Sequence, residues 1–191
     1  MRCYKGFNSD LTCSRGQGRF QYKVGQTFTA EKAKCANTGL HCVEEPIAVL
    51  DWYNDKSSRF CIVEAAGDIN ENDDKISCTE MTILKEITIE QLAMLECIWL
   101  QNHPDREMNR RIHLKSADGC ETDRIVIVRG KHPIASGCTG ATIFLLREKS
   151  RSKEIADIGV FKIDGKKYKP HVRYTVEGRR STTCAKKNSG S

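Results

Sequence analysis

GLHCVEEPIAVLDWY, residues 39–53, changes its hydrophobic period part-way along, and the place of that change decides how the N-terminal half is read. Gly39 and Leu40 lead into His41 and Cys42 as the end of a strand. Pro46 then stands where the first turn of a helix tolerates it, because its missing N–H would be unpaired there anyway. Val49, Leu50 and Tyr53 fall on one helical face with Pro46. Side chains adjacent on a strand point to opposite faces, so His41 and Cys42 cannot form a hydrogen-bonded catalytic dyad with each other. Cys42 reads as packing against the following helix, and His41 stays open as a residue facing a cleft.

Working outward, RCYKGF predicts a short strand and GRFQYKVGQTFTA a second, broken at Gly25. RFCIVEAAG predicts another strand, DINENDDK an acidic loop, and ISCTEMTILKEI a further strand. Thr88 with Gln91 three residues on forms a capping box, and Leu92, Leu95 and Trp99 recur at helical spacing up to Pro104. Beyond this, RIVIVRG and TIFLLRE are strands separated by the turn-like KHPIASGCTGA. Asp164-Gly165 predicts a hairpin, and HVRYTVEGRR one more strand. The expected fold class is therefore α+β: mixed, mostly antiparallel sheets with two main helices and a β-rich C-terminal half. The expected organisation is an α+β domain over 1–101, an irregular linker over 102–123, a β-rich basic lobe over 124–180 and a flexible tail over 181–191. RGQGR, with Gly16 and Gly18, predicts a flexible turn.

A chain of 191 residues can bury roughly 70% of its unfolded surface, enough for one sizeable core or two modest ones. No run approaches the ~20 apolar residues of a membrane span, and the N-terminus has no apolar signal segment, so the expected location is the cytosol, with no membrane partner. The ten cysteines include no C-x2-C pair, so free thiols are expected and no metal site. No phosphate loop, zinc helix or nucleophile elbow is present.

Charge is distributed unevenly. Residues 1–80 carry 10 Lys/Arg against 12 Asp/Glu, and residues 81–191 carry 21 against 13, giving −2 and +8. With Tyr168 and Tyr174 interleaved among its lysines and arginines, the basic half has the composition of a surface for nucleic acid or for an acidic protein, and equally that of an ordinary solvated face.

Two resemblances rest on particular residues. YKGF near the start, GLHCVEEPIAVLDWY, SRFCIVEAAGDI and the closing VFKIDGKKYKPHVRYTVEGR resemble an uncharacterised domain family of bacteriophage and prophage proteins. That implies an origin and no chemistry. In addition, Gly39-Leu40-His41-Cys42, Tyr53 and Val63-Glu64-Ala65-Ala66-Gly67 are similar to the NAD-binding core of ADP-ribosyltransferases, and Tyr4-Lys5-Gly6 take the place of that family's H-G or R-G pair, Lys5 replacing the histidine or arginine. This resemblance implies a cofactor cleft lined by Tyr4, Lys5, His41 and Tyr53, with NAD as its cofactor and Glu148 or Glu177 as the available glutamates. Without it, no cofactor is expected.

The first functional expectation is a non-enzymatic phage or mobile-element accessory protein that binds and inhibits a host factor in the host cytosol. The partner would be a host protein or ribonucleoprotein such as a CRISPR effector, with Arg110, Arg111, Arg129, Lys131, Lys166, Lys167 and Lys169 as contacts to protein, RNA or DNA. The alternatives are an ADP-ribosyltransferase-like enzyme and a sequence-tolerant binder of single-stranded nucleic acid.

Overall fold

The computed structural model describes residues 1–13, 19–72 and 75–181 of the chain. The chain divides into two compact units, Met1–Trp99 and Leu100–Ser191.

In the first unit, short alternating segments form β1 (Arg2–Phe7), β2 (Thr12–Cys13), β3 (Phe20–Gln21), β4 (Thr27–Thr29) and β5 (Leu40–Val43). A 3-10 helix (Pro46–Asp51) leads to the long strands β6 (Arg59–Asn72) and β7 (Lys75–Ile87), and then to α1 (Ile89–Asn102). β6 and β7 are antiparallel along their length. β1 lies antiparallel beside β6, from Arg2 opposite Glu64 to Phe7 opposite Arg59. β5 lies beside β7, from Leu40 opposite Cys78 to Val43 opposite Lys75, and β4 pairs farther along β7. A single Tyr4–Val43 pairing joins β1 to β5 and closes the circuit β1–β6–β7–β5.

Every second residue of these strands enters one shared core: Cys3 and Phe7, Leu40 and Cys42, Cys61, Val63 and Ala65, Ile76 and Cys78, Met81 and Ile83. On the other side, Pro46 to Leu50 are all buried. That five-residue buried run forms a 3-10 helix and not the expected α-helix, with Ala48 N–H donating to Glu45 O and Trp52 N–H to Val49 O. α1 is then the one α-helix among the described residues. It starts as expected, with Thr88 N–H donating to Gln91 Oε1 (3.0 Å) and Gln91 N–H to Thr88 Oγ1 (3.2 Å). Within the described residues no helix is long and apolar enough to cross a membrane.

The expected acidic loop at 68–75 is instead mostly strand. β6 runs on to Asn72, with Asn70 opposite Ser77. From Gly67 to Asn72 β6 is largely exposed on both faces, so no alternation marked it as strand.

The second unit departs further from expectation. Its strands are β8 (Ile112–Asp118), β9 (Ile125–Ser136), β10 (Thr142–Glu148) and β11 (Ile155–Lys162), in the order β11-β10-β9-β8. β8, β9 and β10 are parallel, and only β11 is antiparallel to its neighbour. Ile112 faces Ile127 and Ile125 faces Thr142, so each strand is laid beside the previous one after a short link, as in a coil, with no helical crossover. Antiparallel pairing was the expectation because short turn-rich links normally join hairpins. β8 also lies inside the segment 102–123 expected to be an irregular linker. β9 continues to Ser136, half-way into the stretch read as a turn, and Pro133 fits because the β8–β9 ladder skips from Arg129 to Ile134 around it.

Asp164 does build a turn, its Oδ1 accepting the N–H groups of Lys166 and Tyr168 (2.8 and 3.0 Å), but no second hairpin strand follows. HVRYTVEGRR contributes only isolated bridges, from Tyr174 to Ala135 and Arg180. Tyr174 instead anchors a core with Val126, Val128, Ile143, Leu145 and Phe161. The expected turn at Gly16 and Gly18 and the tail beyond Ser181 lie outside the described residues.

Candidate functional site

β1 and β5 touch at one pair and then part, and the gap between them is where unusual residues gather. β1 sends Cys3, Lys5 and Phe7 to the inner face, so a lysine occupies a core position, 5% exposed. Its Nζ donates to the carbonyl of His41 on β5 (2.5 Å), tying the parted strands together. Its Nζ also lies 5.5 and 5.4 Å from the ring centroids of Phe7 and Tyr22.

Tyr4 and Gly6 face the opposite way. A Cβ built on Gly6 would stand 2.5 Å from Cδ2 of Tyr53, so only glycine lets this ring lie against the strand. The Tyr53 hydroxyl reaches Cys13 Sγ (3.0 Å). Next to it, Lys75 Nζ sits 3.9 Å from the centroid of Trp52.

These groups enclose a cavity of about 280 Å³ whose walls include Tyr4, Lys5, His41, Trp52, Tyr53 and Lys75. The four residues expected to line a cofactor cleft are thus drawn from three separate segments into one cavity. His41 Nε2 is buried with no hydrogen-bond partner. Burial first, then the charges of Lys5 and Lys75, push its pKa down, which keeps the imidazole neutral at pH 7. In that state one ring nitrogen carries the proton and the other accepts, so the unpartnered Nε2 can serve as the acceptor. Cys42, His41's neighbour, has its thiol pushed up by hydrogen bonds with Cys3 and Cys78 and by burial, and Cys61 is raised to about 12, chiefly by burial. These are protonated structural thiols at neutral pH. Among the described residues, no group of three or more metal-binding side chains has the geometry to hold an ion.

Trp52 and Lys75 escaped sequence reasoning. Trp52 stands inside the stretch that decided the reading, next to Tyr53, but does not share the helical face on which that stretch was read, whereas Lys75 follows an acidic run read as loop and gave no signal. A buried carboxyl pair was missed as well. Glu96 is fully buried on α1, where its Oε2 accepts Ile47 N–H (3.0 Å), and its pKa is held well above the ordinary value by burial and by Glu45.

In the second unit the expected contact residues separate. Lys131, Lys166, Lys167 and Lys169 are exposed, as are Arg110 and Arg111, the latter with its N–H bonded to Asn109. Arg129 is a correction. It is 1% exposed, and its guanidinium donates to Glu148 Oε1 (2.8 Å), Pro104 O (2.7 Å) and Lys153 O (2.5 Å). Its strand neighbours Val128 and Gly130 are buried too, so position 129 belongs to the interior. Glu148 is thereby committed to Arg129, and Glu177 to Arg147 and Thr175.

Residues 1–95 match a domain of unknown function, DUF7666. The match ends within α1 and takes in every residue of the cavity. No curated protein and no solved structure matches the chain.

Proposed function

We propose that the DUF7666 region is a ligand-binding module whose β1/β5 cavity holds a nucleotide of the NAD class. The observation that carries this reading is the convergence of Tyr4, Lys5, His41 and Tyr53 on one cavity. Transfer of ADP-ribose is not part of the proposal. Cleaving the nicotinamide bond builds positive charge on the ribose, which calls for a carboxylate to face it, and among the described residues none lines the cavity. The phage or mobile-element setting implied by the sequence resemblance is kept as context for the proposal.

The test is thermal unfolding with NAD, ADP-ribose or adenosine monophosphate at millimolar concentration. A ligand at about 100 times its Kd adds roughly 2.7 kcal/mol, a rise in Tm of several degrees for a protein of this size. An unmoved Tm with all three overturns the reading.

A second reading is supported by the Asp164 turn. It fixes the backbone that carries Lys166, Lys167 and Lys169, all exposed and flanking the half-buried Tyr168. This end of the second unit suits an acidic partner, whether a host protein, a ribonucleoprotein such as a CRISPR effector, or RNA or DNA, which the protein would bind and inhibit. Pull-down from host cells with the Lys166→Glu, Lys167→Glu double variant tests it: the partner should be lost, and retention of the same partner at moderate salt sinks the idea.

A further inference from the structure

The charges around the β1/β5 cavity select among the parts of a nucleotide. Two lysines line it, Lys5 and Lys75, and no carboxylate does among the described residues. Among the described residues neither lysine has an acidic partner there: Lys5 has the His41 carbonyl and two rings, and Lys75 has the Trp52 ring. Aromatic walls at Tyr4, Trp52 and Tyr53 suit a flat ring, and His41 Nε2 is a buried acceptor in need of a donor. At about 280 Å³ the cavity is just under the ~300–1,000 Å³ of ordinary ligand sites, the scale of one mononucleotide moiety and not of a whole dinucleotide.

We infer that the cavity takes a nucleoside monophosphate moiety with an amino-bearing base: ring against Trp52 and Tyr53, amino group toward His41 Nε2, and phosphate on the lysine side. This deepens the nucleotide-binding proposal and rests on it. It also reverses the orientation that the transferase resemblance implies. A nicotinamide riboside ring is a cation, and two lysines on the cavity wall repel it, whereas they attract a phosphate. If NAD binds, its adenylate half enters and its nicotinamide half stays outside.

The inference is tested by calorimetric titration of the full chain with adenosine monophosphate, adenosine, purine riboside monophosphate and nicotinamide riboside. Adenosine monophosphate should bind at least tenfold tighter than adenosine, because the phosphate meets the lysines, and its advantage should shrink as salt rises. Purine riboside monophosphate, lacking the amino group, should be about tenfold weaker because it leaves Nε2 unpaired. Nicotinamide riboside should show no heat. Lys75→Met should remove much of the advantage of adenosine monophosphate over adenosine, and the wild-type salt dependence reports the same contact without a variant. Tight binding of nicotinamide riboside, or equal affinity for adenosine and its monophosphate, overturns the inference while leaving nucleotide binding in place. If NAD and every other nucleotide fail to bind, the proposed function falls first.

Discussion

Lys5 and Arg129 are both cations buried in β-cores, one in each unit, and they are held in opposite ways. Arg129, 1% exposed, has a carboxylate on Nε and two carbonyls on one terminal nitrogen, so its charge is neutralised and three of its five donors are bonded. Lys5, 5% exposed, has one carbonyl and two aromatic faces, and it stands at the wall of a cavity. An isolated buried charge is expensive, and a fold keeps one without a counter-ion only where something else supplies the missing negative charge. The contrast separates a cation paired within the fold from one that stands at a cavity wall, where the proposed ligand would meet it.

The largest effect should come from breaking the satisfied cation. Arg129→Ala leaves Glu148 half-buried without its partner and two carbonyls without donors, and should cost about 3–5 kcal/mol in urea unfolding. Replacing both partners, Arg129→Met with Glu148→Leu, should recover most of that loss, since a buried pair exchanged for apolar residues is close to neutral. A loss under about 1 kcal/mol for the single variant would place Arg129 with the dispensable charges and undo the contrast.

Gly6→Ala should come next. The added methyl meets the Tyr53 ring 2.5 Å away, so the ring must leave its wall, at a cost of about 1–3 kcal/mol and with loss of nucleotide binding. Normal stability with normal binding would mean that the Tyr53 ring does not shape the cavity.

Glu96 extends the comparison to a buried acid. Its pKa is raised above 4.5 by burial and then by Glu45, with the Ile47 N–H opposing. The folded state therefore keeps a proton that the unfolded chain releases. The associated stability is complete below pH 4.5 and is lost as pH rises through the folded pKa. Glu96→Gln keeps an oxygen for Ile47 N–H and removes the titration. Its Tm should fall less than the wild type's between pH 4.5 and 8; parallel profiles would show that Glu96 is not the group responsible.

How much of this was legible follows from the same residues. The strands around the first core could be read because Cys3 and Phe7, Cys61 and Val63, or Met81 and Ile83 alternate with the face they bury, and the capping box of α1 because Thr88 and Gln91 act locally. The parallel coil of the second unit could not. Parallel and antiparallel strands of equal length carry the same apolar alternation, and the pairing of Ile112 with Ile127 depends on contacts that no local pattern reports. Arg129 was misassigned for a related reason: within RIVIVRG its charge stood out and its burial did not. Lys5, His41 and Tyr53 were reached through a resemblance, Trp52 and Lys75 only through space.

The smallest change in stability, and the sharpest test of the contrast, is Lys5→Met. Methionine matches the length of the lysine stem, fits beside Phe7 and Tyr22, and removes a charge that has no acidic partner among the described residues. Against that gain stands one lost hydrogen bond to His41 O, worth about 0.5–1.5 kcal/mol net, or somewhat more because the donor is charged. The two terms nearly cancel, so the folded protein should change by no more than about 1 kcal/mol. Binding should behave differently, because the phosphate loses one of its two cations while the aromatic walls remain. Affinity for adenosine monophosphate should drop at least tenfold, and affinity for adenosine should hardly move. A stability loss beyond about 2 kcal/mol would show that the hydrogen bond across the β1/β5 gap outweighs the cost of the buried charge. Lys5 would then belong with Arg129 as a residue of the fold, and the phosphate would be left to Lys75.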